Sequence, residues 1–362
     1  MPFLTVLCPL YNHAPHFAMT LATIASQTFR DFNVICRDDC GPQEEEYRAI
    51  IEKFNDLMPN PIQYIRAEKN EGIGVNRQKL LEAADGEYVI FIDDDDQFYS
   101  VEAFQIYATN ILQQRQQGHI CDMARARFME AHEDGVRLLH EMNEGAWVHA
   151  VMFRRAFLND NKIVFPDYRC YEDGALMHIA TRMAGFTVFI DAPTYLWCWT
   201  TNSITRGQDY LHTMLPTYTD SFWRAYKFLE PLKGRDNILE LLIAPLCHSY
   251  FYLMGVERRY PEDDDCIVRT YKILQEIIDQ GKILEVIDDK EDRFNQFRLI
   301  YAGARNGAVN QDPMSFESIT FNDWLQLHFG RSIKKLEVPK DKNFVYRPSA
   351  ASMYADRDKK KS

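Results

Sequence analysis

The chain has no run of about eighteen apolar residues, so nothing in it reads as a membrane span. Its eight cysteines include no CxxC pair, and only Cys36 and Cys40 lie close together. That spacing excludes a zinc ribbon and a disulfide scaffold, and makes reduced thiols in a cytoplasmic setting the expectation. Positive charge is not in excess: 41 Lys and Arg stand against 53 Asp and Glu, a net charge of −12, which removes any general attraction to nucleic acid or anionic lipid. There is no phosphate-binding loop ending in Gly-Lys. The opening Met1-Pro-Phe-Leu-Thr-Val-Leu-Cys lacks the charged start and cleavage site of a signal peptide and reads as a first strand.

What is present is centred on Tyr88-Val-Ile-Phe-Ile-Asp-Asp-Asp-Asp-Gln97. An apolar run rich in β-branched and aromatic residues fits a buried strand. It ends in Asp93, Asp94, Asp95 and Asp96, four adjacent carboxylates that a sheet interior cannot hold unpaired. Their place is the carboxyl end of a central strand, where open α/β sheets bind ligands, with a cation to offset the charge. A solvated acidic loop is the plainer reading of a charge run, but a buried strand leading into this one favours a metal or phosphate site.

Around that strand the chain alternates. Leu4 to Pro9 reads as a strand, followed by a turn through Tyr11, Asn12 and His13 and a helix over Phe17 to Ile24. Asp31 to Cys36 is a second strand running into Asp38 and Asp39, Glu44 to Leu57 a helix, and Gln63 to Arg66 a third strand. Asn70-Glu-Gly-Ile-Gly is a tight loop before a helix over Val75 to Ala84. Strands and helices at this spacing make βαβ units, hence an α/β fold with a mostly parallel sheet. Gly72 and Gly74 give only part of a dinucleotide fingerprint, because Arg77 stands where the third glycine belongs. A guanidinium there suits an anionic ligand, with a basic surface helix as the alternative.

Several of these features occur together in one order. Pro9, Tyr11 and Asn12, then Gln27-Thr-Phe-x-Asp-Phe, Asp38-Asp39, Asn70-x-Gly72 with Arg77, and Ala84-x-Gly86-Glu-Tyr-x-x-Phe-Ile-Asp-x-Asp-Asp form an ordered set that resembles family 2 glycosyltransferases. Glu172-Asp173-Gly followed by Arg182 and Gly185 is similar to the acceptor-side motif of that family, and the resemblance covers about residues 3 to 206. It implies a GT-A fold, a nucleotide-diphosphate sugar donor with UDP-sugar favoured, Mn²⁺ or Mg²⁺, and inverting transfer to a hydroxyl of a glycan or another acceptor. It also implies roles. Pro9, Tyr11, Asn12, Asp39, Asn70, Gly72, Arg77, Asp93, Asp94 and Arg206 fall on the donor side, with Asp39 facing the base. Asp95 and Asp96 fall on the metal, Asp173 is the general base, and Glu172 and Trp147 lie on the acceptor side. Trp147 equally suits a buried core position, and a lone histidine such as His149 is more often structural than catalytic. Asn76-Arg-Gln departs from the usual Ala-Arg-Asn, and the Gln-x-x-Arg-Trp of processive membrane synthases is absent.

Beyond about Gln208 the pattern becomes helical. Thr217 to Leu229, Asp236 to Arg258, Glu262 to Asp279 and Glu291 to Ala304 carry helix-period apolar residues. Pro261 with Glu262, Asp263, Asp264 and Asp265 reads as a helix start rather than a second metal site. The expected organisation is a catalytic GT-A domain over 1–207, an α-helical accessory domain over 208–330 with scope for homo-oligomerisation, and a flexible tail over 331–362. The tail's Lys359 to Lys361 offer a means of peripheral contact with a membrane or polyanion, although a solvated tail is the commoner case. Two other functions share the donor pocket: glycosylation of hydroxymethylated bases in DNA, which the acidic balance disfavours, and a non-enzymatic nucleotide-sugar sensor.

Overall fold

The computed structural model describes residues 1–142, 147–199 and 210–233. The chain divides into two compact units, Met1–Thr217 and Tyr218–Ser362. The described residues of the first form an α/β unit with a nine-stranded sheet.

Its first half is a set of parallel crossovers. Strands β1 (Leu4–Leu10), β2 (Phe32–Asp38), β3 (Gln63–Arg66) and β4 (Tyr88–Phe91) lie in the order β3-β2-β1-β4. They are joined by helices α1 (Ala14–Ala25), α2 (Glu44–Asn55) and α3 (Ile73–Ala83). Every residue of β1 and β4 is buried, as expected for central strands covered on both faces by crossover helices. Helix α1 takes Pro15 into its first turn, where the missing N–H costs nothing. Helix α2 opens with Glu44, Glu45 and Glu46 at its positive end and carries Lys53 in its last turn. Gly72, at φ +92°, turns the chain into α3 in a conformation that favours glycine.

Beyond β4 the sheet changes direction. After β5 (Gln97–Phe98) and α4 (Ala103–Gln116), β6 (Met123–His132) forms a hairpin with β7 (Arg137–His140). Strand β8 (Val151–Arg154) inserts antiparallel between β4 and β6, pairing Val89 with Phe153 and Ala124 with Met152. Short α5 (Arg155–Asp160) and then α6 (Glu172–Met183) follow, and β9 (Thr187–Trp199) runs parallel to β6 with register shifts around Arg127. Strand β5 pairs antiparallel with β9 at the far edge. The parallel reading thus holds through β4, and the second half is mixed.

The core lies around β1 and β4, with Phe17, Leu21, Ile24, Phe32, Tyr88, Ile90, Phe104 and Tyr107 all buried. Helix α7 (Tyr210–Lys233) covers the expected segment Thr217 to Leu229 and crosses the boundary between the units. The remaining helices expected after it, the tail and Arg206 lie outside the described residues. No described helix is long and apolar enough to cross a membrane.

Candidate active site

Parallel strands β1, β2 and β4 deliver Tyr11, Asp39 and the aspartate run to one edge of the sheet. The four aspartates do not behave as one acidic patch. Each is handed to different neighbours.

Asp93, at the end of β4, meets Arg77 from α3, with Nη2 donating to Oδ1 at 2.6 Å. Its Oδ2 lies 3.7 Å from Nε2 of His149. Burial acts to raise this carboxyl, but Arg77 and His149 hold it well below its ordinary range. Asp94 turns under β1: its Oδ2 accepts from the Tyr47 hydroxyl and from the Tyr11 backbone N–H (3.3 Å), and its Oδ1 lies 3.1 Å from His13 Nδ1. The hydrogen bond to Asp94 pushes His13 up to about 9. Asp95 is less enclosed and lies 3.6 Å from the same nitrogen. Burial, then Asp94 and Asp93, push it up to about 6. Asp96 points back into the protein, accepting from the Tyr195 hydroxyl at 2.6 Å and the Cys198 N–H at 2.8 Å. It is 1% exposed, and burial raises it well above the usual carboxylate range.

The second acidic element arrives on α6. Tyr171 adopts a left-handed conformation at φ 65°, which starts the helix at Glu172, so Glu172 and Asp173 occupy its first turn rather than a preceding loop. Glu172 is buried against Arg77, whose Nη1 donates to its Oε1. Burial, with Asp173 beside it, pushes Glu172 up to about 7 against the pull of Arg77. Asp173 is half-buried, and its one hydrogen bond among the described residues comes from the Gly174 N–H at 2.7 Å. Burial raises it above its ordinary value, while Arg77 and His149 act in the opposite direction. A single guanidinium therefore joins Glu172 of α6 to Asp93 after β4.

The Gly-rich loop is fixed from below. Asp39 is 3% exposed and accepts from the Glu71 N–H (3.0 Å) and the Gly72 N–H (2.7 Å), one on each carboxylate oxygen. Oδ1 also lies 3.7 Å from Arg37 Nη1, which leaves Oδ2 with a second acceptor direction. Asn70 accepts from Arg169 at 3.0 Å. A Cβ at Gly74 would stand 2.1 Å from the Pro166 carbonyl oxygen, so α3 and the segment leading to α6 are in backbone contact there. Pro9 is buried in β1, whereas Tyr11 (48% exposed) and Asn12 open to solvent at its end.

An aromatic wall borders the acids. The His149 ring stacks on Tyr195 with centroids 5.0 Å apart, and Trp147 and Trp197 stand 5.9 Å apart beside it. Trp147 is partly buried and packs on the core through Phe128, so it serves packing and still shows a face. Further along, Glu130 is fully buried and joins His132 and His140, with Trp199 stacked on His132.

Among the described residues, two groups have ligand atoms within 4.8 Å of one another: His13, Asp94 and Asp95, and Asp93, Asp96 and His149. Asp95 and Asp96, the expected metal pair, fall into different groups. The oxygens of Asp96 are already committed to Tyr195 and Cys198, whereas Asp95 is open on its outer side. The chemistry of the donors therefore fits a hard divalent ion at the Asp95 end. His13, Tyr47 and Tyr195 carried no signal in the sequence, because each acquires its meaning from an aspartate far along the chain.

Residues 5–158 match the model of glycosyl transferase family 2. These residues form a family 2 glycosyltransferase domain. The chain is similar to the putative teichuronic acid biosynthesis glycosyltransferase TuaG of Bacillus subtilis, 31% identical over 97 residues, covering 27% of this chain and 37% of the relative. It is similar as well to the poly(ribitol-phosphate) β-N-acetylglucosaminyltransferase TarS of Staphylococcus aureus, 26% identical over 173 residues, 45% of this chain and 29% of that protein. The crystal structure of S. aureus TarS 1–349 matches with a TM-score of 0.62 at 18% identity, covering 84% of this chain and 91% of that one. A complex of the same fragment with UDP-GlcNAc also has a TM-score of 0.62. The fold of the family 2 domain is thus GT-A. The chain spans less than half the length of the curated relatives it matches.

Proposed function

We propose that this protein transfers a sugar from a nucleoside-diphosphate donor, with uridine diphosphate favoured, to a hydroxyl of a cell-envelope polymer or related glycan, with inversion at the anomeric carbon. The names of the relatives support the acceptor class, and UDP-GlcNAc on the TarS fragment supports the donor. The observation that carries the reading is the bridge from Glu172 through Arg77 to Asp93, which ties the start of α6, where Asp173 follows Glu172 with only the Gly174 N–H on its carboxylate among the described residues, to an acid run suited to a diphosphate.

In this reading Tyr11 and Asn12 border the nucleoside, and Asp39, while holding the loop through Glu71 and Gly72, keeps acceptor capacity for a base N–H. Asp95 with its neighbours holds the cation. When bound, Mn²⁺ or Mg²⁺ offsets the charge that builds on the departing diphosphate. Asp173 takes the acceptor hydroxyl proton as the new bond to the anomeric carbon forms. The bond to the diphosphate oxygen breaks in the same displacement and its electron pair leaves with the nucleotide. Arg77 keeps Glu172 from competing as base by holding it in a buried pair. Trp147 and Trp197 offer flat apolar faces to an acceptor ring. The part of the chain beyond residue 233 is assigned to acceptor handling or self-association.

Calorimetric titration with UDP, GDP, dTDP and CDP, each with and without Mn²⁺, tests the donor half. Tight metal-dependent binding of UDP alone is expected, and binding of none of the four would sink the proposal. Binding without turnover on any hydroxylated acceptor would favour a nucleotide-sugar sensor.

A further inference from the structure

His13 has no part in the mechanism above, yet it is the nitrogen nearest the open end of the aspartate run. It sits at the junction of β1 and α1, its side chain 39% exposed, with Nδ1 3.1 Å from Asp94 Oδ1 and 3.6 Å from Asp95 Oδ2. Three donors on three residues thus converge within 4.8 Å, one imidazole nitrogen and two carboxylate oxygens. The arrangement is braced from outside. Tyr47 donates to Asp94 Oδ2 and accepts from the His13 backbone N–H at 2.8 Å, and the Tyr11 N–H also reaches Asp94 Oδ2. Asp94 is left with Oδ1 facing His13. Neighbouring ligands on an octahedral shell with bonds of about 2.1 Å stand roughly 3 Å apart, close to the spacing of these atoms.

We infer that His13 is a ligand of the divalent ion at Asp95, giving the site a mixed nitrogen and oxygen donor set that selects a first-row transition ion such as Mn²⁺ over Mg²⁺. The inference rests on the proposed donor chemistry and adds the identity of one ligand and the metal preference that follows. Mg²⁺ demands oxygen and gains little from imidazole, whereas the affinity of transition ions rises when a nitrogen donor joins carboxylates. The exposed sides of His13 and Asp95 leave room for diphosphate oxygens or water to complete the shell. The bracing by Tyr47 serves the same end as outer partners at other metal sites, fixing the ligands before the ion arrives.

The test is Mn²⁺ binding by the full chain in the presence of UDP, followed through the electron paramagnetic resonance signal of free Mn²⁺, with Mg²⁺ as competitor. His13→Ala and His13→Gln are expected to weaken Mn²⁺ at least about tenfold while changing Mg²⁺ less than about threefold. Pulsed measurement on the wild type is expected to show a directly bonded nitrogen that the variants lack. Unchanged Mn²⁺ affinity, equal losses for both metals, or absence of the nitrogen coupling would each overturn the assignment. Asp95→Asn separates the levels. If it abolishes Mn²⁺ binding while His13→Ala leaves the Mn²⁺ affinity unchanged, His13 alone is misassigned. If the wild type binds no Mn²⁺, the metal-dependent reading falls with it.

Discussion

Arg77 Nη2 stands 2.6 Å from Asp93 Oδ1, and the same guanidinium donates through Nη1 to Glu172, 95 residues further along the chain. Both Arg77 and Glu172 are only 4% exposed, so this is a buried pair in which neither partner tolerates the loss of the other. Arg77→Met is expected to destabilise the fold by about 3–5 kcal/mol, the usual result of stranding a buried charge. Arg77→Lys keeps the charge but not the planar fork, and should lose donor affinity with a smaller loss of stability. Thermal unfolding and UDP titration of the two variants check both statements.

Asp173→Asn should leave UDP affinity within about twofold of wild type and lower turnover by about 10²–10⁴, the usual worth of a positioned base. Near wild-type turnover would remove Asp173 from that role.

His13 sets a pH dependence of stability in metal-free protein. Its folded value is raised to about 9 from an ordinary 6.5, so between those values the folded state binds more protons than the unfolded one. The stabilisation is therefore complete below about pH 6.5 and is lost as pH rises through 9. In EDTA, the melting temperature of wild type should fall more steeply between about pH 6.5 and 9.5 than that of His13→Gln. Parallel profiles would show that the His13–Asp94 pair contributes nothing.

His149→Phe keeps a ring to stack on Tyr195 but removes Nε2 from beside Asp93 and also removes Nδ1, which is buried without a hydrogen-bond partner among the described residues. Deleting an unsatisfied buried group typically recovers about 1 kcal/mol or more. Stability should hold or rise while donor affinity falls several-fold. A variant with unchanged donor affinity would make His149 a packing residue only.

Gly74→Ala would set a Cβ 2.1 Å from the Pro166 carbonyl oxygen and 2.8 Å from that of Tyr168. Neither backbone atom can move without shifting the segment that leads into Glu172 and Asp173. A loss of about 1–3 kcal/mol is expected, with turnover reduced more than donor binding. Equal turnover in variant and wild type would show that α3 does not position α6.

Strands β1, β2 and β4 were legible because buried parallel strands are short apolar runs closed by turns, and the partly exposed Gln63–Arg66 lies where the alternation of strand and helix puts it. Strand β6 was not. Its partly exposed positions include Arg125 and Arg127, so no apolar run marks it. Strand β8 is four residues long and merges directly into α5. The start of α6 was hidden by the left-handed Tyr171, which no residue preference announces. The aspartate run was visible as an acidic strand end, but its division among partners was not. Asp94 is paired across 81 residues with His13, and Asp96 across 99 with Tyr195. Local pattern carries no information at that range.

The same separations bear on how the site comes into being. Asp96 obtains its two donors from β9, and Arg77 obtains Glu172 from α6, so the contacts that organise the acids close loops of 95 to 102 residues. Loop closure of that length is entropically costly and late. A nascent chain that has emerged only as far as residue 158 carries the whole aspartate run with Asp96 still lacking its strand partners. Strand β9 therefore marks the earliest point of synthesis at which Asp96 can find both of its hydrogen-bond donors.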